Sequence, residues 1–99
     1  MSESIYTVTA IHSPTDCRCF GWFGDSAMAR QAVRENWADL SENGYYKNLV
    51  IEQIAGGIHP VVLQEWWFEL GEGASDCNAI WREAARPAFA ERTVNWALG

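Results

Sequence analysis

Six tryptophans in a chain of 99 residues are the feature that most constrains the fold, because one small core has to accommodate most of them. A chain of this length buries only about two-thirds of its unfolded surface and cannot divide into two cores. Large aromatic side chains, which each bury about 200 Å², help such a domain to reach marginal stability. We therefore expect a single domain over residues 1–99, with several tryptophans in its core.

The composition is that of an ordered globular domain, with 48% hydrophobic and 20% charged residues. No apolar run approaches the roughly 18 residues that a membrane helix needs. The residues Met1-Ser2-Glu3-Ser4 lack the basic start and apolar segment of a secretion signal. The sequence therefore predicts a soluble cytoplasmic protein that makes no membrane contact.

The charge balance points to protein partners and away from nucleic acid. A net charge of −6 and a pI near 4.7 repel phosphate backbones, whereas nucleic-acid-binding proteins usually carry a basic stripe. The same charge suits a basic partner, such as a host protein whose own surface binds nucleic acid. Direct binding to DNA or RNA is not expected.

The pattern of β-branched and aromatic residues predicts four strands and one main helix in the order ββαββ. The helix is capped by Asp25-Ser26 and continues to Leu40, with apolar residues at 29, 33, 37 and 40 on one face. A turn at 13–16 joins the first two strands into a hairpin, and Gly21 indicates either a bulge or a close approach of the backbone. The strands are expected over residues 5–11, 17–23, 45–55 and 61–70.

This element order predicts an α+β fold in which the helix packs on one face of an antiparallel sheet. The sequence of the C-terminal part is compatible with two secondary structures. Residues 77–86 fit either a short strand around Ile80-Trp81 or a helix that begins at Asp76. Pro87 fits the first turn of a short final helix. Residues 93–98 either continue that helix or dock as a strand.

The tryptophans divide into two groups when they are placed on these elements. Trp37 and Trp66 lie on apolar faces and are predicted to be core residues, and Trp81 and Trp96 are further core candidates. In the fourth strand, the period of two places residues 62, 66, 68 and 70 on one face, and Glu65, Trp67 and Glu69 on the other. Trp67 is therefore either covered by the C-terminal segment or exposed as an anchor for a partner, and Trp22 is the second such candidate.

Neither a metal site nor a catalytic site has a convincing pattern. Cys17 and Cys19 are separated by a single residue, whereas paired zinc ligands favour two to four, so His12, Cys17, Cys19 and Cys77 are a poor zinc set. Free thiols are expected, without a disulfide scaffold. His12 and His59 lie in no recognisable nucleophile motif. Glu65 and Glu69 are four residues apart on a strand, about 13 Å, which is too far for a glycosidase pair.

Several short motifs together resemble a diffuse group of small phage and prophage proteins of similar length. The motifs are Phe20-Gly21-Trp22-Phe23, the helix that ends near Asn36, Leu49-Val50-Ile51-Glu52, Gly57-Ile58-His59-Pro60, Trp66-Trp67-Phe68 and Asn95-Trp96-Ala97-Leu98-Gly99. The resemblance implies no catalytic residue. It implies an accessory protein that blocks a host machine, as anti-defence and anti-CRISPR proteins do.

The leading hypothesis is a non-enzymatic, cofactor-free protein that inhibits or modulates a host protein through an acidic surface bearing an aromatic residue. The residues assigned to that surface are Glu65, Trp67, Glu69, Glu72 and Asp76. The alternative is a nucleotide sponge, with a pocket or a homodimer interface in which Trp22 or Trp67 stacks a base and Arg18 or Arg82 pairs with phosphate. The residues assigned to this ligand site are Arg18, Trp22 and Arg82. A small enzyme of unidentified chemistry is the third hypothesis.

Overall fold

A computed structural model describes residues 4–42, 44–55, 61–71, 81–90 and 96. The described elements are strands β1 (Ser4–Ser13) and β2 (Asp16–Phe23), helix α1 (Ser26–Arg34), strands β3 (Asn48–Ala55), β4 (Val61–Leu70) and β5 (Trp81–Ala84), and a 3-10 turn at Ala88–Ala90. The strands form one antiparallel sheet in the order β2-β1-β3-β4-β5. The predicted α+β class is confirmed, but the described sheet has five strands where four were predicted.

The predicted β1–β2 hairpin is confirmed, and so is the bulge near Gly21. Val8 pairs with Gly21 and Thr9 pairs with Cys19, so Phe20 is the extra residue on β2. The bounds of β4 are those predicted from the sequence. The open choice at residues 77–86 is decided at its C-terminal end, because Trp81 begins a strand that pairs with Leu70 of β4.

Helix α1 is shorter than predicted because a left-handed residue ends it. Asp25 caps its first turn as expected, with Oδ1 accepting a hydrogen bond from the Met28 backbone N–H at 2.8 Å. Asn36, just past the C-cap, has φ +49°, a conformation that asparagine tolerates better than most residues. The prediction that helix continues through Trp37 to Leu40 is therefore wrong.

The side chain of Asn36 ties this helix end to the far edge of the sheet. Its Oδ1 accepts hydrogen bonds from the Leu40 backbone N–H at 2.9 Å and from the Trp81 indole at 3.1 Å. Its Nδ2 donates to Asp39 at 3.2 Å. Because Asn36 is buried, these bonds satisfy groups that water cannot reach. They fix β5 and the chain after α1 to each other.

The two tryptophans that were predicted as core residues, Trp37 and Trp66, are not fully buried in the core between α1 and the sheet. Trp37 and Trp66 are only half-buried, whereas Trp67, Trp81 and Trp96 are buried. Loss of the helix after Arg34 moves Trp37 off the helical face on which it was predicted. The buried residues of this core are Val8, Ala29, Val33, Leu40, Leu49, Ile51, Phe68 and Trp81.

A second irregularity corrects the predicted faces of β4. Gln53 pairs with Gln64 but Ile54 pairs with Val62, so Leu63 is an extra residue on β4. Val62 therefore lies on the same face as Ile54. The alternation had predicted that it would share the face of Trp66.

Within the described residues, no helix has the length and apolar character needed to cross a membrane.

We expect Asn36→Ala to lower the free energy of unfolding by roughly 2–4 kcal/mol, because it strands buried donors on Leu40 and Trp81 and places a Cβ residue at positive φ. Asn36→Gly is the matched control, since it loses the same hydrogen bonds but accepts positive φ. It should be less damaging than alanine by about 1 kcal/mol. Urea denaturation measures both, and wild-type stability in Asn36→Ala would contradict the assigned role.

Candidate protein-binding surface

The sheet has two covered faces. One packs on α1, and the other, which we call the distal face, carries every second residue of the same strands. The cross-strand pairs Thr7–Glu52, Val50–Trp67 and Glu52–Glu65 lie on the distal face. Its buried apolar residues are Ile11, Val50, Trp67, Ala90 and Trp96. The last two belong to the C-terminal part of the chain, which therefore covers the centre of this face.

Trp67, assigned to the partner-binding surface from the sequence, lies beneath that cover. Only 5% of it is exposed, and Trp96 stands edge-to-face against it with ring centroids 6.0 Å apart. Its indole N–H donates to Glu65 at 3.0 Å. Of the two alternatives left open for Trp67, the structure shows the covered one. Its ring is not available to a partner in this conformation.

Glu52 holds the cover in place and was not among the predicted site residues. It is fully buried, and its Oε2 accepts a hydrogen bond from the Trp96 backbone N–H at 3.1 Å. The Trp96 carbonyl oxygen accepts a hydrogen bond from the Cys17 thiol at 3.9 Å. The sequence carried one signal for this role: Glu52 alternates with Val50 and Ile54, so the period of two places it on a face with apolar neighbours.

The acidic residues of the predicted surface are locally neutralised. Arg86 forms an ion pair with Glu65, and Arg82 forms one with Glu69 at 3.3 Å. Glu72 and Asp76 lie outside the described residues. The distal face near β4 therefore presents ion pairs, not free carboxylates around an exposed ring.

The residues of the alternative nucleotide site are not brought together. Arg18 pairs with Glu42 at 2.5 Å and lies over the ring of Phe20, 4.7 Å from its centroid. Trp22 pairs with Thr7 and so faces the distal side, opposite to Arg18. Arg82 is on β5, at the other edge of the sheet, four strand spacings or about 19 Å away. Trp22 therefore lies beside neither of the two arginines.

The thiols and the one described histidine have ordinary local partners. The His12 ring stacks on Tyr45 with centroids 4.3 Å apart, and its Nδ1 lies 3.3 Å from the Tyr45 carbonyl oxygen. Cys19 is exposed and donates to the Gly21 carbonyl at 3.7 Å. The described part of the chain contains no group of three or more residues that could hold a metal ion. His59 and Cys77 lie outside it.

Among the described side chains, Glu35, Tyr45 and Tyr46 have pKa values that are shifted away from neutral pH. A hydrogen bond to Asp16, and then burial, raises the pKa of Tyr45. Burial, and then the nearby Glu42, raises the pKa of Tyr46. Hydrogen bonds from Trp37 and Gln31 lower the pKa of Glu35. None of these three groups is poised to exchange a proton near pH 7.

Trp22 is the most exposed tryptophan, with 65% of its surface accessible to solvent. It lies on β2, an edge strand whose outer side pairs with no strand in the described ranges. We call this outer side, from Asp16 to Phe23, the β2 edge. Asp16 begins it, and exposed Asp25 lies two residues after its end. The β2 edge thus combines an exposed indole, free backbone groups and flanking carboxylates.

The two kinds of tryptophan predict different responses to truncation. We expect Trp96→Ala to lower the free energy of unfolding by about 3–5 kcal/mol, because it uncovers Trp67 and empties a buried volume. Trp22→Ala is the matched control, with an expected change within about 0.5 kcal/mol. Chemical denaturation followed by circular dichroism checks both. Equal losses in the two variants would show that Trp96 does not cover the face.

Comparison with known protein families, with curated proteins and with solved structures finds no match for this chain. Its function is therefore inferred from the geometry and charge of the described residues.

Proposed function

We propose that this chain is a non-enzymatic binding protein that attaches to a basic protein partner through the β2 edge, with Trp22 as its anchor. The resemblance to phage and prophage proteins adds the context of a host protein in the host cytoplasm, which the chain would inhibit or modulate as an anti-defence factor. The observation that carries the proposal is the 65% exposure of an indole on an edge strand whose outer side pairs with no described strand.

An exposed tryptophan on an edge strand favours protein binding for two reasons. Tryptophan is enriched among the residues that dominate interface energy, since its large ring loses much contact with water at little cost in conformational entropy. An edge strand also offers a row of backbone N–H and C=O groups, with which an extended segment of a partner can pair. Natural edges are often protected by charged side chains, by proline or by bulges. β2 contains neither lysine nor proline; it has the bulge at Phe20, and its Arg18 is paired with Glu42.

The charges favour a basic partner. Four of the arginines, at positions 18, 30, 82 and 86, are engaged with glutamates in ion pairs. Their positive charge is therefore largely compensated locally, while the chain as a whole carries −6. A negative field of this kind speeds encounter with a positive surface and opposes direct contact with nucleic acid.

The proposal moves the binding surface from the one expected from the sequence. The earlier assignment centred on Glu65, Trp67 and Glu69, but the ring is covered and both carboxylates are in ion pairs. The proposal keeps the class of function expected from the sequence, an acidic protein that binds its partner through an exposed aromatic side chain. A nucleotide sponge finds less support, because Arg18, Trp22 and Arg82 lie apart.

We expect Trp22→Ser to reduce recovery of a basic host protein on the immobilised chain by at least about tenfold, as loss of an interface anchor does. Met28→Ser is the matched control, since Met28 is another exposed apolar residue, on α1. Quantitative mass spectrometry of the eluates measures both. Equal recovery by wild type and Trp22→Ser would reject the β2 edge as the binding surface.

A second copy of the chain is the rival occupant of the same edge. Light scattering after size-exclusion chromatography distinguishes it, because a dimer that Trp22→Ser converts to a monomer would assign the edge to self-association.

A further inference from the structure

A cavity of about 170 Å³ lies on the helix side of the sheet, where α1, the turn after it and the β1–β2 hairpin meet. It is separate from the distal face and from the outward-facing ring of Trp22. The residues that line it are Val8, Phe20, Gly21, Phe23, Ala32, Trp37, Ala38 and Leu40.

None of the side chains that line the cavity is ionisable, and none has a polar atom without a hydrogen-bond partner. The one polar atom among these side chains, the indole N–H of Trp37, is already donated to Glu35 at 2.9 Å. A water molecule in a cavity needs two to four hydrogen-bond partners, and a charged ligand needs a compensating charge. The site therefore selects an uncharged and apolar occupant.

Small residues on facing elements create this space, and aromatic rings shape it. Ala32 comes from α1 and Gly21 from β2, and a Cβ built on Gly21 would meet no atom within 4 Å. Phe23 and Trp37 form one wall, with centroids 5.9 Å apart and planes inclined at 63°. Phe20, the bulged residue of β2, supplies a third ring. Such tilted rings favour edge-to-face contact with another aromatic ring.

We propose that this cavity is a binding site for one small, uncharged aromatic molecule of benzene to indole size. The volume fits, since apolar protein cavities of about 150 Å³ stay dry and bind benzene. The chemistry fits, because three aromatic rings and aliphatic side chains surround the space without a polar group to satisfy. The site is formed by α1, the turn after it and the helix-facing side of the hairpin, so it does not depend on the function proposed for the β2 edge.

The probes for this site are benzene, indole and benzoate, added to the full-length protein and followed by amide chemical shifts. Benzene and indole should give saturable shifts at Gly21, Ala32 and Leu40, which line the cavity. Benzoate should bind at least about tenfold more weakly, because its charge finds no partner there. Absence of saturable shifts with benzene and indole up to their solubility limits would overturn the proposal.

Two variants locate the binding. Ala32→Leu fills the cavity from α1 and should abolish the shifts, whereas Ala27→Leu, the same change at an exposed position of that helix, should leave the dissociation constants unchanged. If Ala32→Leu fails to fold, Phe23→Leu replaces it, since it removes one ring from the wall and should raise the preference for indole over benzene by several-fold. Wild-type affinities in Ala32→Leu, or an unchanged preference in Phe23→Leu, would place the binding elsewhere.

Discussion

Glu52 lies on β3, the middle strand of the sheet, with its carboxylate fully buried and in a hydrogen bond with the backbone N–H of Trp96. A buried carboxylate is costly unless hydrogen bonds compensate for its lost hydration, so this group strongly favours the chain path that brings a donor to it. That path places the Trp96 ring against Trp67 and closes the distal face. The interaction therefore decides which aromatic side chains remain for contact with other molecules.

The two edges of the sheet differ in how many polar contacts hold them to the rest of the domain. At the β4–β5 edge, Arg82 and Arg86 pair with Glu69 and Glu65, and Asn36 reaches across to the Trp81 indole. This edge is tied to the rest of the domain by polar contacts. The β2 edge has no comparable cover in the described part of the chain, and it carries the exposed indole of Trp22. The edge fixed by polar contacts and the edge with the exposed indole thus lie on opposite sides of one sheet.

Local sequence patterns predict the strands and the start of the helix well, and the C-terminal end of the helix poorly. The dense apolar run of β4 and the turn between β1 and β2 are local signals, and both appear in the structure. The end of α1 depends on Asn36, whose left-handed conformation is supported by hydrogen bonds to Leu40 and to the distant Trp81. Apolar spacing at Trp37 and Leu40 cannot reveal that contact, because Trp81 lies 45 residues away.

The burial of the tryptophans was less predictable for the same reason. Period-two alternation correctly separated Trp66 from Trp67, but it does not say which face is covered more completely. Trp67 is buried by Trp96, a residue from the far end of the chain, whereas Trp66 stays half-buried beside Arg30. The position of Glu52 among apolar neighbours was a readable signal that the second face is also covered.

The central claim is that Trp96 seals the distal face over Trp67, so that Trp22 is the most exposed tryptophan of the chain. Hydroxyl-radical footprinting with mass spectrometry tests it directly, because oxidation reports the solvent exposure of each indole. Trp22 should be oxidised fastest, while Trp67, Trp81 and Trp96 should be protected until the protein is denatured. Oxidation of Trp67 in the native protein at the rate of Trp22 would contradict the claim.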